Sequence, residues 1–258
     1  MKIIACCKVV HDELDITIGG NRELNTDNAG LKISLYDLNA LEAAVNIAQA
    51  QSESQITALS LGNKTVLENS KIRKDILSRG VDALTLIADD TCDVLYPTDA
   101  ASILAKAAEK IGFDLIICGE GSGDLYAQQT GLQIGEYLNI PTINGVSKIT
   151  LQGDVVQVER VLEDAIEELE FTLPAVISVS SDINTPKLPS MKAILAANKK
   201  PVTQWTLSDI ACSPTEATAL RVSALAPEKT DRLGIILDDD SDDNITLLAN
   251  HLRQIINS

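Results

Sequence analysis

One stretch of the chain, residues 114–131, combines residue types that could bind an anionic ligand. An apolar run leads into three glycines at alternate positions, Gly119, Gly121 and Gly123, and the pattern then becomes helical. We predict a buried strand, a glycine-rich turn and a helix that follows the turn directly. Glycines let the backbone approach a ligand closely, and the free amides of a helix N-terminus favour phosphate. The stretch therefore indicates either a nucleotide site or an ordinary tight turn.

Two further features of the turn bear on its chemistry. The glycine spacing matches neither G-x-G-x-x-G nor the Walker lysine loop, so the usual dinucleotide and triphosphate fingerprints are absent. We expect positive φ angles at Gly121 and Gly123, where a side chain would block both the backbone conformation and the ligand.

The cysteines and histidines form no recognisable metal or catalytic motif. The chain has five cysteines, two histidines and no C-x-x-C pair. Cys6 and Cys118 lie inside apolar strand patterns, so buried reduced thiols explain them better than a disulfide or a metal site. His11 and His251 have no obvious ligand partners nearby in sequence. Zinc binding and histidine-based triads are therefore not expected.

The composition is typical of a soluble globular protein, because 45% of the 258 residues are hydrophobic and 22% are charged. The chain is long enough to bury one large core, with or without an appended arm. No apolar run reaches the roughly 18 residues that span a bilayer, and the first residues lack the apolar region of a signal peptide. We therefore expect a cytoplasmic protein without membrane insertion. The net charge of -16 argues against nucleic-acid binding, since an acidic surface repels phosphates.

The N-terminal half alternates strand and helix patterns. Strands are predicted at residues 2–9, 56–61, 83–88 and 115–118, and helices at residues 36–50, 66–79 and 98–111. This order implies a mainly parallel, doubly wound α/β sheet with helices on both faces. Ligands of such sheets bind at the carboxyl ends of the strands, where the glycine-rich turn falls.

Beyond Pro141 the pattern changes to short strands joined by turns. Strands are predicted at residues 146–151, 155–160, 168–173 and 175–180, which we interpret as a hairpin-rich extension of the sheet. A proline-punctuated loop at residues 184–191 leads into residues 192–200. We assign residues 1–200 to a nucleotide-binding α/β domain with this extension.

Residues 201–258 are predicted to form a C-terminal arm. A polar stretch with Ser213-Pro214 and Ala226-Pro227 precedes a predicted strand at residues 234–237 and an amphipathic helix at residues 245–256. One strand and one helix are too small to bury their own apolar faces. The arm is therefore expected to pack on a partner protein.

Four segments together resemble the beta subunit of electron transfer flavoproteins. They are residues 2–8 (KIIACCK), Tyr36-Asp37 before residues 40–44 (ALEAA), residues 119–131 ending in QTG, and residues 158–160 (VER) with acids and then residues 173–176 (LPAV). The resemblance covers nearly the whole chain. Within the family it resembles the branch associated with Fix and carnitine-type operons.

The resemblance implies an electron carrier without substrate chemistry of its own, on an adenine nucleotide alpha hydrolase-like fold. In this family an alpha subunit holds most of a redox-active FAD, and the beta subunit binds AMP or a second FAD. The implied partners are the alpha subunit, flavin dehydrogenases such as the acyl-CoA dehydrogenase type, and a quinone oxidoreductase. Flavin does not follow from composition or spacing.

The resemblance also implies which residues hold the adenine nucleotide. Main-chain groups at the ends of the first two strands would frame the adenine, and the amides and side chains of Gln128, Gln129 and Thr130 would hold phosphate. The chain has Ser34-Leu35 where many family members have Asn-Pro, which leaves AMP and a second FAD both open. The implied site residues are Cys6, Ser34, Leu35, Tyr36, Asp37, Leu61, Gly119, Glu120, Gly121, Ser122, Gly123, Asp124, Leu125, Tyr126, Ala127, Gln128, Gln129 and Thr130.

Several of these residues have a simpler alternative role. Tyr36 could be a core aromatic residue, and Asp37 could be only the N-cap of the helix that follows it. Asp124 could be only the cap of a helix beginning at Leu125. Arg160 could belong to a solvated charge cluster, whereas the resemblance places it at the subunit interface.

The resemblance further implies a recognition loop, about residues 184–200, that offers an apolar anchor to partner dehydrogenases. Alignment between Pro186 and Pro201 makes Met191 the anchor, and local similarity of Leu-Pro makes it Leu188. A flexible exposed Met suits several partner surfaces. The alternative is a Met packed under the following helix.

Two rival functions remain at this stage. A universal-stress-type nucleotide-binding protein would share the parallel sheet and the glycine-rich turn, but it would not explain the hairpin extension or the arm. A nucleotidyl-transferring enzyme of the same fold group is disfavoured, because no phosphate motif with lysine or histidine is present.

Overall fold

The computed structural model describes residues 1–51, 53–92, 95–212 and 234–256. The described chain divides into two units. The first contains residues 1–17 and 25–212, and the second contains residues 18–24 and 234–256. The polar stretch that contains Ser213-Pro214 and Ala226-Pro227 lies outside the described residues. Among the described helices, none has the length and apolar character to cross a membrane.

The described residues form thirteen strands and seven α-helices. The strands are β1 (Lys2–Cys6), β2 (Val9–His11), β3 (Thr17–Ile18), β4 (Leu24–Asn25), β5 (Leu31–Ile33), β6 (Gln55–Gly62), β7 (Ala83–Ala88), β8 (Leu115–Gly119), β9 (Thr142–Gln152), β10 (Val155–Val161), β11 (Ile166–Thr172), β12 (Ala175–Val179) and β13 (Val202–Trp205). The helices are α1 (Leu35–Ala50), α2 (Lys64–Leu67), α3 (Ser70–Ser78), α4 (Pro97–Ile111), α5 (Thr130–Leu138), α6 (Met191–Ala197) and α7 (Asp242–Ile256), with short 3-10 helices at Ser181–Ile183 and Ser208–Ile210.

Nine of the described strands form one sheet, in the order β11-β10-β9-β12-β8-β1-β6-β7-β13. All neighbours from β9 to β13 in this order are parallel, and only β10 and β11 add antiparallel pairs. Helices flank the sheet. The predicted doubly wound α/β fold with a hairpin extension is therefore confirmed.

Alternating side chains of β1 explain why both faces of the sheet are covered. Ile3 and Ala5 point into one apolar cluster with residues of α1 and α3, whereas Ile4 and Cys6 point into another with residues of α4 and α5. Successive residues of a strand face opposite sides. A strand without polar positions therefore requires helices on both sides, and this places the carboxyl edge of the sheet between two helical layers.

The predicted helix at residues 66–79 is in fact two helices. α2 ends before Glu68, and the side chain of Asn69 then accepts hydrogen bonds from the amides of Lys71 and Ile72 at 2.9 and 3.4 Å. Asn is a strong N-cap residue because its side-chain oxygen satisfies the free amides of the next turn. Asn69 therefore starts a new helix within a segment whose apolar spacing is continuous.

The strand expected at residues 175–180 does not belong to the hairpin extension. β12 lies between β8 and β9 and is parallel to both. All five of its residues are buried, as is typical of a strand inside a parallel sheet. Only β9, β10 and β11 form the antiparallel ribbon, so the chain returns from the ribbon to the centre of the sheet.

The predicted arm begins with a strand of the main sheet. β13 pairs with β7 in parallel register from Val202 with Leu84 to Trp205 with Ile87. In the second unit, the strand expected at residues 234–237 is absent, and α7 begins at Asp242. α7 has no buried residue, and its apolar side chains at Ile245, Leu248 and Leu252 are exposed.

Candidate functional site

The glycine-rich turn follows β8 at the carboxyl edge of the parallel sheet. Its helix begins at Thr130, not at Leu125 as predicted, and residues 123–125 form a turn. Tyr126 and Gln128 have φ angles of 45° and 56°, which a right-handed helix does not allow. The sequence pattern did not reveal these left-handed residues because neither is a glycine or an asparagine.

Because α5 begins at Thr130, its N-terminus is formed by Gln128, Gln129 and Thr130. Gln129 occupies the N-cap position, and its side chain makes no cap hydrogen bond. The first amides of a helix have no partner within the helix and attract anions. This helix end is therefore suited to phosphate.

Asp37 joins the glycine-rich turn to β1. Its two carboxylate oxygens accept hydrogen bonds from the backbone amides of Lys8, at 2.8 Å, and Gly119, at 3.2 Å. Burial raises the pKa of this carboxyl to about 7, against the lowering effect of these two hydrogen bonds and of the Lys8 charge. Asp37 is the third residue of α1 and Ser34 is at the N-cap position, so the simple N-cap alternative is wrong.

Ser34 holds the other end of the turn. Its hydroxyl accepts a hydrogen bond from the amide of Gly123 at 3.2 Å, and its own amide donates to the carbonyl of Lys8 at 3.0 Å. Ser34 is fully buried and makes no side-chain bond to its own helix. A side chain that would usually cap α1 therefore holds the glycine-rich turn instead.

Gly119, Gly121 and Gly123 do not have positive φ angles, contrary to the expectation for Gly121 and Gly123, and crowding explains the glycine only at Gly119 and Gly121. A Cβ at Gly119 would lie 2.7 Å from Asp37 Oδ1 and from the Tyr36 backbone, and one at Gly121 would lie 2.4 Å from the Tyr126 ring. At Gly123 the nearest atom to a Cβ is 3.9 Å away. A side chain at Gly123 would therefore begin with an ordinary van der Waals contact to Val10, so the protein itself does not exclude one.

Two aromatic rings lie together beside the turn. The centroids of Tyr36 and Tyr126 are 4.9 Å apart. The Tyr126 hydroxyl donates to Glu120 Oε1 at 3.0 Å and accepts from the Gln128 amide at 3.3 Å. Burial and the bond to Glu120 raise the pKa of Tyr126 to about 12. Tyr36 is only half-buried, so it is not a core aromatic residue.

Lys8 is a candidate residue that the sequence analysis missed. Its ammonium group forms an ion pair with Asp124 at 2.6 Å, and both side chains are 41% exposed. Burial tends to raise the pKa of Asp124, but the bonds from Lys8 and the Ser122 side chain outweigh it and the pKa is lowered. Because no helix begins at Leu125, Asp124 is not a helix cap. Lys8 follows the end of β1, the position that could have identified it.

The remaining predicted nucleotide residues lie at the ends of β1 and β6 or on the turn. Cys6 ends β1, and both its bond with Cys118 and burial raise the pKa of its thiol well above the usual value. Leu61 lies near the end of β6 and is half-buried. Since β6, β1 and β8 are parallel neighbours, their carboxyl ends share one edge of the sheet.

None of the contacts described for the three predicted partner residues involves the glycine-rich turn. Arg160 is on β10 and forms an ion pair with Glu167 and a hydrogen bond with Asn144 Oδ1 at 3.1 Å. Leu188 and Met191 are 89% and 73% exposed, and Met191 is the first residue of α6. Met191 is therefore not packed under the helix that follows it.

Fold and site together define the class of protein. It is a doubly wound α/β protein with a glycine-rich turn and an uncapped helix N-terminus at the carboxyl edge of its parallel sheet. The family model of the electron transfer flavoprotein domain matches residues 23–210, which is well over half of the chain. The chain belongs to the electron transfer flavoprotein family.

Proposed function

We propose that the chain is the beta subunit of a heterodimeric electron transfer flavoprotein and that its glycine-rich turn binds an adenine nucleotide. The main support is the arrangement at Gly123. A Cβ at Gly123 would meet only Val10 Cγ2, at 3.9 Å, the neighbouring Asp124 pairs with the Lys8 ammonium, and the turn leads along the chain to the uncapped N-terminus of α5. A diphosphate or monophosphate needs such a combination of free amides, positive charge and room for close backbone approach.

The residues present fit the nucleotide in different ways. Main-chain groups near Cys6 and Leu61 would frame the adenine, and the amides at residues 128–130 would bind the phosphate. Ser34 and Asp37 would act on the protein and not on the ligand, because their side chains already accept amides of the turn. AMP and a second FAD both satisfy this chemistry.

The redox chemistry would be supplied by FAD shared with an alpha subunit. The chain itself contributes binding and orientation, and we assign it no reaction on an organic substrate. We propose that it carries electrons from a flavin dehydrogenase, such as one of the acyl-CoA dehydrogenase type, to a quinone oxidoreductase or another acceptor. Its composition favours the cytoplasm.

Two regions are proposed to contact these partners. Leu188 and Met191 on the recognition loop would meet a dehydrogenase, because they present apolar side chains to solvent. Arg160 and the exposed apolar face of α7 would meet the alpha subunit. The proposed arm in this role is residues 234–256, since β13 is a strand of the main sheet.

The proposal is tested by isolating the chain together with an alpha subunit and extracting the bound nucleotides. We expect a yellow heterodimer that releases the FAD of the alpha subunit and one further equivalent of AMP or FAD. A colourless monomer that binds and turns over ATP would contradict the proposal and favour a universal-stress-type protein.

A further inference from the structure

Helix α1 makes polar contacts with two different parts of the chain. At its start, the side chains of Ser34 and Asp37 accept hydrogen bonds from backbone amides of the glycine-rich turn and of Lys8. One to two turns later, Asn39 and Glu42 contact the start of the recognition loop. Both of these side chains are largely buried, at 6% and 8% exposure. Buried polar groups of this kind are positioned by their hydrogen bonds.

Asn39 and Asn184 bind each other reciprocally. The side-chain amide of Asn39 donates to the backbone carbonyls of Asn184, at 2.8 Å, and Ser181, at 3.2 Å. The side-chain amide of Asn184 donates back to the carbonyl of Asn39 at 3.0 Å. These reciprocal hydrogen bonds fix the backbone where the chain passes from β12 into the recognition loop.

Glu42 holds the next part of the loop. Its carboxylate forms an ion pair with the Lys187 ammonium at 2.8 Å, and its second oxygen accepts the Lys187 amide at 3.4 Å. Lys187 directly precedes Leu188, the most exposed apolar residue of the loop. The backbone position of the proposed anchor is therefore set from α1.

The path between the two sets of contacts is short and stiff. A helix rises 1.5 Å per residue, so Asp37 and Glu42 lie about 7.5 Å apart along the axis. Between them Ala40 and Leu41 are fully buried in the core. A helix fixed in this way transmits a shift of its first turn and does not absorb it.

We propose that Asn39 and Glu42 are positioning residues that couple the nucleotide site to the recognition loop through α1. The inference rests on the proposed function, because it needs a nucleotide at the turn and a docking role for the loop. A nucleotide that orders the turn fixes the start of α1, and α1 then holds residues 184–188 in the docking arrangement. By linkage, releasing the loop from α1 weakens nucleotide binding by the same factor.

A contact between Arg79 and the recognition loop provides an internal control. Arg79, at the end of α3, donates to the carbonyl of Lys187 at 3.3 Å and also forms an ion pair with Asp75 at 2.9 Å. None of the contacts described for Arg79 involves the glycine-rich turn or the first turn of α1. Loss of this contact should loosen the loop without changing its response to nucleotide.

The experiment measures amide hydrogen exchange in the full-length chain, with and without saturating AMP, or FAD if AMP does not bind. The informative amides are those of residues 184, 185, 187 and 188. We expect nucleotide to slow their exchange at least fivefold in the wild type, a typical allosteric factor. Asn39→Ala should reduce this response to less than about twofold and weaken nucleotide binding several-fold.

Additional variants separate coupling from a loss of structure. Lys187→Gln removes an exposed partner of Glu42 and should reduce the response even if Asn39→Ala does not fold. Lys192→Gln makes the same charge change on α6 and should retain the full response. Arg79→Gln should raise exchange in both states and retain the ratio between them.

The outcomes distinguish the inference from the function on which it rests. Nucleotide binding with a loop response that disappears in Asn39→Ala and Lys187→Gln supports the coupling. Binding without any response at residues 184–188, or a response retained in both variants, overturns the coupling and leaves the proposed function intact. If neither AMP nor FAD binds the wild type, the proposed function fails and the coupling fails with it.

Discussion

At the scale of single residues, the candidate site depends on a buried carboxylate. Asp37 accepts hydrogen bonds from the amide of Lys8, just after β1, and from the amide of Gly119, the last residue of the neighbouring β8, and so fixes the beginning of the glycine-rich turn relative to the end of β1. The sequence could predict that Asp37 lies in the first turn of a helix. It could not predict the hydrogen-bond partners of Asp37, because Lys8 and Gly119 are distant along the chain. The N-cap alternative fails because α1 begins at Leu35 and Ser34 is at the N-cap position.

The raised pKa of Asp37 predicts a pH dependence of stability. Between about pH 4 and 7 the folded chain retains a proton that the unfolded chain has released. The contribution of Asp37 to the free energy of unfolding therefore falls as pH rises, by up to about 1.4 kcal/mol per pH unit, and is constant above about pH 7.

Urea denaturation of the wild type and Asp37→Asn at pH 5, 6, 7 and 8 measures this effect. The wild type should lose stability relative to the variant from pH 5 to 7 and should change little relative to it from pH 7 to 8. Parallel stability curves over the whole range would mean that Asp37 ionises normally in the folded chain.

Crowding at Gly119 predicts a local loss of stability. An alanine there would place a methyl group against the Asp37 carboxylate and the Tyr36 backbone, which cannot move freely. Overpacking of this kind costs about 1–3 kcal/mol. Gly119→Ala should therefore lower the free energy of unfolding by that amount in urea denaturation, whereas Gly123→Ala, with open space around its Cβ, should change it by less than about 0.5 kcal/mol. Equal effects of the two substitutions would refute the steric account.

At the scale of elements, the proposed recognition loop combines exposed apolar side chains with a hydrogen-bonded backbone at Lys187. Leu188, Met191 and Leu195 are exposed. Glu42 of α1 and Arg79 at the end of α3 form hydrogen bonds with the backbone of Lys187. A preordered backbone lowers the entropy cost of docking. The loop thus resembles a binding surface more than a flexible linker.

Truncation of the anchors should separate function from stability. Leu188→Ala or Met191→Ala truncates a side chain that is mostly exposed to solvent, so the thermal midpoint should change by no more than about 1 °C. Electron transfer from the cognate dehydrogenase should slow at least tenfold, since an interface anchor contributes about 2 kcal/mol or more.

Leu14→Ala is the control for the anchors, because Leu14 is also highly exposed and lies outside the loop. It should leave both quantities unchanged. A large drop in the thermal midpoint of Leu188→Ala or Met191→Ala, with normal transfer per folded molecule, would mean that these residues stabilise the fold.

The alternation of strands and helices in the N-terminal half could be predicted because apolar periodicity and helix-ending glycines such as Gly112 are local signals. The position of β12 in the sheet could not be predicted, because a buried apolar run of five residues fits a hairpin strand or a parallel strand equally well. The start of α5 was predicted too early, because the left-handed backbone of Tyr126 and Gln128 leaves no local signal in the sequence. Tertiary contacts therefore determine both the position of β12 and the start of α5.

At the scale of the whole molecule, the two units predict different consequences of truncation. Deleting residues 234–258 removes α7, which has no buried residue, so the unfolding midpoint of the α/β unit should be nearly unchanged while pairing with an alpha subunit is lost. Deleting residues 201–258 also removes β13 from the edge of β7 and should lower the midpoint by several degrees.

Thermal denaturation and size-exclusion chromatography with the alpha subunit measure both truncation effects. A chain without residues 234–258 that still pairs normally would contradict the assignment of α7 to the partner. An unchanged midpoint after the longer deletion would mean that β13 contributes little to the sheet.

The central claim is that the glycine-rich turn binds an adenine nucleotide, and calorimetric titration of Gly123→Val with AMP and FAD tests it most directly. A valine at Gly123 meets no protein atom at its Cβ closer than 3.9 Å, so the chain should fold, but the side chain occupies the space proposed for the phosphate. Gly20→Val is the matched control, because a Cβ there has no neighbour within 4 Å and Gly20 is not among the predicted site residues. We predict that affinity for the bound nucleotide falls at least about a hundredfold in Gly123→Val, the equivalent of about 2.7 kcal/mol, and is unchanged in Gly20→Val. Wild-type affinity in a folded Gly123→Val variant would contradict the account.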